Sequence, residues 1–255
     1  MGALDGQVAI VTGAGSGIGR EVAIRLGDEG AALALAGRRT EPLETTRELI
    51  EKAGGRAAAR PTDVGDAEQA RALVAWAEAE FGRVDVLVNN AGVNSAARTL
   101  ATTDVDTWNA VFAVNVTGPL ALSRAVLPGM LQRGDGTIIT VSSLAAINPG
   151  PMAGAAYSAS KAAVTNLMGS LNAELRGQGI RACTVFPGEA DTDILEKRAL
   201  VPDAAARATM MRAEDVAAAV VFCATMPPRT LVEQIYLRPT VLRDMRADVQ
   251  AALER

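Results

Sequence analysis

The chain has 255 residues, 49% of them hydrophobic, 21% charged and only 3% aromatic, with a formal net charge of −4. This much Ala, Val, Leu and Ile can fill one large core, and the acidic balance argues against general affinity for nucleic acid or an anionic membrane. Without histidine and with only two cysteines, a transition-metal site would have to be built from carboxylates alone, and no metal site is expected.

QVAIVT (7–12) is a short apolar run that reads as a strand, and residues 18–29 follow as a helix. ALALAG (32–37) is the next strand. Residues 40–53 read as a helix stopped by Gly54 and Gly55, where a left-handed cap is wanted. After RAAARPTDV, Asp66 is the candidate N-cap of a helix that keeps Ala70, Leu73, Ala77 and Phe81 at helical spacing, with Gly82 past its end. VDVLVNN, TIITVSS and IRACTVFPG repeat the strand type. Between them lie helical stretches over 104–132, read as more than one helix because of Pro119 and Pro128, and over 155–176. A helix from Glu214 and a strand near VEQIYL come next. A tail helix over 241–255, with Val241, Met245, Val249 and Leu253 on one side, closes the pattern. Cys183 and Cys223 lie in apolar surroundings and are expected as buried free thiols.

Apolar strands without in/out alternation, separated by helices, imply a parallel sheet covered on both faces. The expectation is α/β: a single Rossmann-type domain over residues 1–255, a doubly wound parallel sheet of about seven strands. MGALDGQVAIVTG has no basic segment leading into a long apolar one, and no run reaches eighteen apolar residues. Neither a secretion signal nor a membrane partner is expected, and the expected location is cytoplasmic.

The first strand runs into TGAGSGIG, with Gly13, Gly17 and Gly19 at TGxxxGxG spacing and Gly15 and Ser16 between them. One glycine permits the tight turn, another lets the backbone approach a pyrophosphate, and the last lets the helix beginning at Ile18 pack close, its free N–H groups facing the anion. The second strand ends in Arg38 and Arg39, with no acid before Glu41. An acid there would bind a ribose 2′-hydroxyl, whereas two guanidiniums suit a 2′-phosphate, so NADP(H) is favoured over NAD(H).

From these residues onward, about 7–240, the chain resembles the short-chain dehydrogenase/reductase family. Asp63-Val64 resembles its adenine-contacting pair, and Asn89-Asn90-Ala91-Gly92 its NNAG motif beside the cofactor ribose. Asn115 falls at the family's catalytic Asn, Ser143 at its catalytic Ser, and Tyr157 with Lys161 at YxxxK. Pro187-Gly188 with Thr192 is similar to the PGxxxT segment that contacts the nicotinamide carboxamide. The C-terminal TLVEQIYLRPT is similar to the branch of short-chain 3-hydroxy acid (serine) dehydrogenases.

The resemblance implies hydride exchange between a nicotinamide and a small alcohol or carbonyl substrate. Tyr157 would carry the proton, Ser143 would hold the substrate oxygen, and Asn115 would anchor a water leading to Lys161. Residues i and i+4 share a helix face, so the Lys161 ammonium is expected to lower the Tyr157 phenol and also to bind the cofactor ribose. The family also implies a homodimer or homotetramer. Residues 189–212 form a candidate substrate lid, whose Lys197, Arg198, Arg207 and Arg212 either attract an anion or offset nearby acids. The rival readings, a non-catalytic dinucleotide sensor and a dehalogenase-type lyase, would call for loss or replacement of Tyr, Lys or Ser, and all three are present.

Overall fold

The computed structural model describes residues 2–255. In chain order it runs β1 (Val8–Thr12), α1 (Gly17–Asp28), β2 (Ala32–Gly37), α2 (Thr40–Lys52), β3 (Arg56–Pro61), α3 (Ala67–Phe81) and β4 (Val86–Asn89). Then follow α4 (Val105–Phe112), α5 (Gly118–Arg133), β5 (Gly136–Val141), α6 (Ala155–Leu175), β6 (Ile180–Pro187), α7 (Ala204–Arg207), α8 (Ala213–Ala224), β7 (Gln234–Leu237) and α9 (Arg246–Leu253).

The seven strands form one parallel sheet in the order β3-β2-β1-β4-β5-β6-β7. β1, β4 and β5 are buried along their whole length because helices cover both faces. On one face α1 packs against α2 and α8, around Val22, Leu26, Leu33, Leu35 and Val220. On the other, α3, α5 and α6 enclose Leu73, Leu87, Leu122, Met130, Ile138 and Met168. Cys183 and Cys223 are buried free thiols whose sulfurs lie 3.0 Å apart, between β6 and α8.

The chain winds outward from β1 to β3 and then returns to lay β4 against the other side of β1, pairing Ala9 with Val86. The crevice at the carboxyl ends of β1 and β4 is therefore the topological switch point, where ligands bind in open α/β sheets.

Two elements depart from the sequence expectation. Residues 105–133 are one continuous helical rod, not separate helices. A π turn at Ala113–Thr117 joins α4 to α5, and Gly118 N donates to the Ala113 carbonyl five residues back. Pro119 lies in the first turn of α5, and Pro128 costs one backbone bond within a helix held by its packing. This rod is long and apolar enough to cross a membrane, and here its Val111, Leu122, Val126 and Met130 are buried in the core.

The tail helix is shorter than expected, and its buried face is not the Val241, Met245, Val249 and Leu253 side. Val241 and Leu253 are exposed, while Asp248 and Ala252 are buried. The Arg243 guanidinium pairs with Asp248 through 2.7 and 2.9 Å bonds, so an ion pair seats this helix in place of an apolar stripe.

Candidate active site

The loops after β1, β2, β3, β4, β5 and β6 all open onto one cavity of about 860 Å³ at the carboxyl edge of the sheet. Of the candidate catalytic and cofactor-contacting residues singled out in the sequence, all but Gly19, Asn89 and Asn115 line it.

Gly19 lies beneath the glycine loop. A Cβ there would sit 2.2 Å from the Gly13 carbonyl oxygen and 2.4 Å from Asn90 Nδ2, and the backbone contact has no flexible end to yield. Gly13 and Gly17 hold φ of +66° and +52°, and a Cβ on Gly13 would come within 2.8 Å of Asn90 Nδ2. Ser16 adopts extended backbone just before α1, and its hydroxyl makes no capping bond. The first-turn N–H groups of α1 are thus left for an anion in the cavity. Around the loop, Asn90 Nδ2 donates to the Thr12 carbonyl at 2.9 Å and Thr46 Oγ1 to the Ala14 carbonyl at 2.9 Å. Substituting Ala at Gly19 is expected to weaken NADPH binding about 10²-fold and destabilise the fold by about 1–3 kcal/mol, through overpacking of rigid backbone. Fluorescence titration and denaturant unfolding check both.

Arg38 and Arg39 stand exposed at the cavity's edge, just before α2. Among the described residues neither has a carboxylate within ion-pair distance, although α2 begins at their side with Glu41 in its first turn. Asp63 and Val64 line the same end, with Asp63 Oδ1 accepting from Gly65 N at 2.9 Å. Ala91 and Gly92 follow β4, and Pro187, Gly188 and Thr192 follow β6. Gly188 N is fixed by the Leu237 carbonyl at 2.9 Å. A glycine cradle closed to any Cβ, an uncapped helix start and two unpaired guanidiniums together fit a phosphorylated dinucleotide.

Ser143 ends the segment after β5 and caps the short turn Leu144–Ala146, its Oγ accepting from Ala145 N at 3.2 Å. Tyr157 and Lys161 lie on α6, with Lys161 Nζ 5.6 Å from the centre of the phenol ring. That ammonium donates to the Val141 carbonyl at 2.9 Å, and burial lowers its pKa from 10.5 to about 8.

The phenol differs from the sequence expectation. Loss of hydration is the largest influence on Tyr157 and raises its pKa. The opposing influences are a hydrogen bond to Ser143 and the charges of Arg198 and Arg98, with no resolved part for Lys161. Tyr157 is therefore held as a neutral acid through the neutral pH range.

Asn115 sits in the π turn, buried, and bonds to protein on three sides. Its Nδ2 donates to the Val93 carbonyl at 2.9 Å and to Ser160 Oγ at 3.0 Å, and its Oδ1 accepts from Val93 N at 2.9 Å. With both amide hydrogens taken, the side chain clamps the segment after β4 to α6.

Within the candidate lid, residues 189, 190, 192–195, 197 and 198 reach the cavity. Arg198 pairs with Glu189 at 2.6 Å and Arg207 with Asp191 at 2.6 Å, so of the two lid readings the arginines follow the one that offsets nearby acids. Several functional contacts came from residues not singled out in the sequence. Thr12 Oγ1 accepts from the backbone of Asn90 and Ala91 at 3.0 and 3.1 Å, and Ser142 Oγ donates to the Lys161 carbonyl at 3.0 Å. Both sit next to recognised motif residues, which was the available signal. Arg98, buried in the cavity wall, stands in SAARTL with no motif around it.

The fold and site define a Rossmann-type protein whose switch-point crevice is flanked by Ser143, Tyr157 and Lys161. Residues 7–201 match the family model described as short chain dehydrogenase, and the chain belongs to that family. It is 40% identical over 195 residues, 76% of its length, to a short chain dehydrogenase of Pseudocercospora fijiensis. It is 38% identical over 246 residues, 93% of its length, to the glycine betaine reductase of Emericella nidulans. The alignments span 63% and 19% of those two relatives. Among solved structures, a metagenomic short-chain oxidoreductase in complex with NADP superposes with a TM-score of 0.81 at 36% identity. That match covers 94% of this chain and 100% of the other.

Proposed function

We propose that this single-domain protein is an NADP(H)-dependent oxidoreductase that interconverts a secondary alcohol and a ketone of a small substrate, acting as a homodimer or homotetramer in the cytoplasm. The observation that carries the reading is the joining of two half-sites in one cavity. Ser143, Tyr157 and Lys161 line one part, and the glycine loop with Arg38 and Arg39 lines the other.

When bound, the dihydronicotinamide supplies the hydride. The Ser143 hydroxyl donates to the substrate oxygen and holds it as negative charge develops there. Tyr157 gives its phenolic proton to that oxygen in reduction and takes it back in oxidation. Desolvation raises the pKa of the phenol, so it enters the reduction step protonated. The Lys161 ammonium, anchored on the Val141 carbonyl with its Nζ 5.6 Å from the ring centre, is placed to hold the cofactor ribose. Asn115 acts as a positioning residue by fixing the Val93 segment against α6. Asp63, Val64, Asn90, Ala91 and Gly92 serve the adenosine and ribose. Pro187, Gly188 and Thr192 serve the nicotinamide end.

The test is an absorbance screen following NADPH consumption across ketones and NADP+ reduction across alcohols. Turnover with at least one pair is expected, and none with any class refutes the reading. The wild-type protein is further expected to bind NADPH about 10–100-fold more tightly than NADH, with Arg38→Ala plus Arg39→Ala narrowing the gap to about threefold. Equal affinities in the wild type would contradict the phosphate-binding role.

A further inference from the structure

The cavity wall contains one buried guanidinium that no acid pairs among the described residues. Arg98 is 3% exposed and lies in the lining of the cavity that holds Ser143 and Tyr157. Its guanidinium donates only to neutral carbonyls, Nη1 to Ala153 at 3.1 Å and Nη2 to Lys197 at 2.8 Å. No carboxylate lies within ion-pair distance of it among the described residues.

Its neighbours cannot supply that charge. Arg198 and Arg243 share Glu189 and Asp248: Arg198 Nη1 is 2.6 Å from Glu189, Arg243 Nη2 is 2.8 Å from Glu189, and Arg243 Nη1 is 2.7 Å from Asp248. Two guanidiniums and two carboxylates make that cluster neutral overall. Arg98 stays as uncompensated charge, and both desolvation and the nearby Arg198 and Arg255 cations lower its pKa. A buried guanidinium whose hydrogen-bond partners are neutral carbonyls is costly, and an anion delivered with the substrate would relieve that cost.

Resting on the proposed carbonyl chemistry, we infer that the substrate carries a carboxylate, that Arg98 receives it, and that the enzyme reduces short oxo acids in preference to uncharged ketones. A single buried guanidinium, already engaged by two carbonyls, matches the single charge of a carboxylate. The site lies on the Tyr157 side of the cavity: the Arg98 carbonyl accepts from Ala155 N at the start of α6, and the Arg98 charge reaches the phenol. A carboxylate held there leaves the adjoining carbonyl within the same chamber as Ser143 and Tyr157.

The experiment compares kcat/KM for short α-, β- and γ-oxo acids with their methyl esters, in wild type, Arg98→Met and Arg98→Lys. Wild type is expected to favour at least one acid over its ester. Arg98→Met should lose about 30-fold or more on that acid while changing within about threefold on the ester, with Arg98→Lys intermediate. Equal handling of acid and ester by wild type overturns the inference, as does an equal loss on both in Arg98→Met, which is the signature of a brace between Ala153 and Lys197. Should Arg98→Met fail to fold, the wild-type comparison and Arg98→Lys decide.

Calorimetric titration of the same oxo acids into the Tyr157→Phe protein with NADP+ separates the two levels of the argument. Absence of binding, in a protein whose wild type reduces uncharged ketones, removes the anion site and leaves the reductase reading. Binding that is lost in Arg98→Met, in a protein that turns over no carbonyl, removes the reductase reading and keeps the anion site.

Discussion

Replacing Tyr157 by Phe is expected to lower kcat/KM for carbonyl reduction by about 10²–10⁴-fold, the range set by removal of a positioned general acid. NADPH affinity should stay within about threefold, because the ring remains and only its hydroxyl is lost. The variant is conservative in volume and removes a group beside Ser143 and the Arg98 and Arg198 cations. No histidine exists in the chain to take over the proton. Parallel measurement of single-turnover hydride transfer and of NADPH binding checks the split. Full activity in the variant would remove Tyr157 from the chemistry.

The second large effect is at Lys161, where function and stability should move in opposite directions. Burial lowers the ammonium from 10.5 to about 8, a penalty of about 3 kcal/mol on the charged form. Lys161→Met removes that charge and also leaves the Val141 carbonyl without its 2.9 Å donor, which costs about 1 kcal/mol or more in return. A net stabilisation of about 1–2 kcal/mol is expected at neutral pH, together with a loss of turnover of at least about 10²-fold.

The pH dependence fixes the origin of that gain. Between about pH 8 and pH 10.5 the unfolded chain keeps the Lys161 proton while the folded chain has released it, so wild-type stability rises with pH across this window. Below about pH 8 both states are protonated and the full penalty applies. The stability advantage of Lys161→Met should therefore be largest near neutrality and shrink toward pH 10.5. Denaturant unfolding of both proteins across that range measures it, and a constant gap would assign the difference to packing.

The layering of the fold was legible because its signals are local. Apolar strand runs, Asp66 as an N-cap and Gly82 as a left-handed cap carry their geometry in a few adjacent residues. The continuity of the 105–133 rod was not, since the two prolines signal a break and only packing and the π turn override it. The same limit applied to the tail. Helical spacing put Val249 and Leu253 on one side, while the contact that seats the helix is Arg243 with Asp248.

Within the site, the residues found by spacing were those on one element or in one loop. The direction of the Tyr157 shift escaped because it depends on groups distant in sequence. An i,i+4 pairing exposes Lys161 as a neighbour but says nothing about desolvation of the phenol or about guanidiniums at positions 98 and 198. Arg98 escaped for the same reason. Its chemistry comes from the carbonyls at 153 and 197 and from the acids that its neighbours have already taken.

The doubly paired arginines also divide the cavity wall for anyone wishing to redesign its substrate range. Glu189, Arg198, Arg243 and Asp248 lock lid and tail together, so exchanging any one strands a partly buried charge and risks the whole enclosure. Asn148, Met152, Ile194 and Leu242 line the same chamber, and apart from the helical-turn amide of Asn148 they hold no such ties. Diversity placed at those four positions would reshape the chamber while leaving its frame standing.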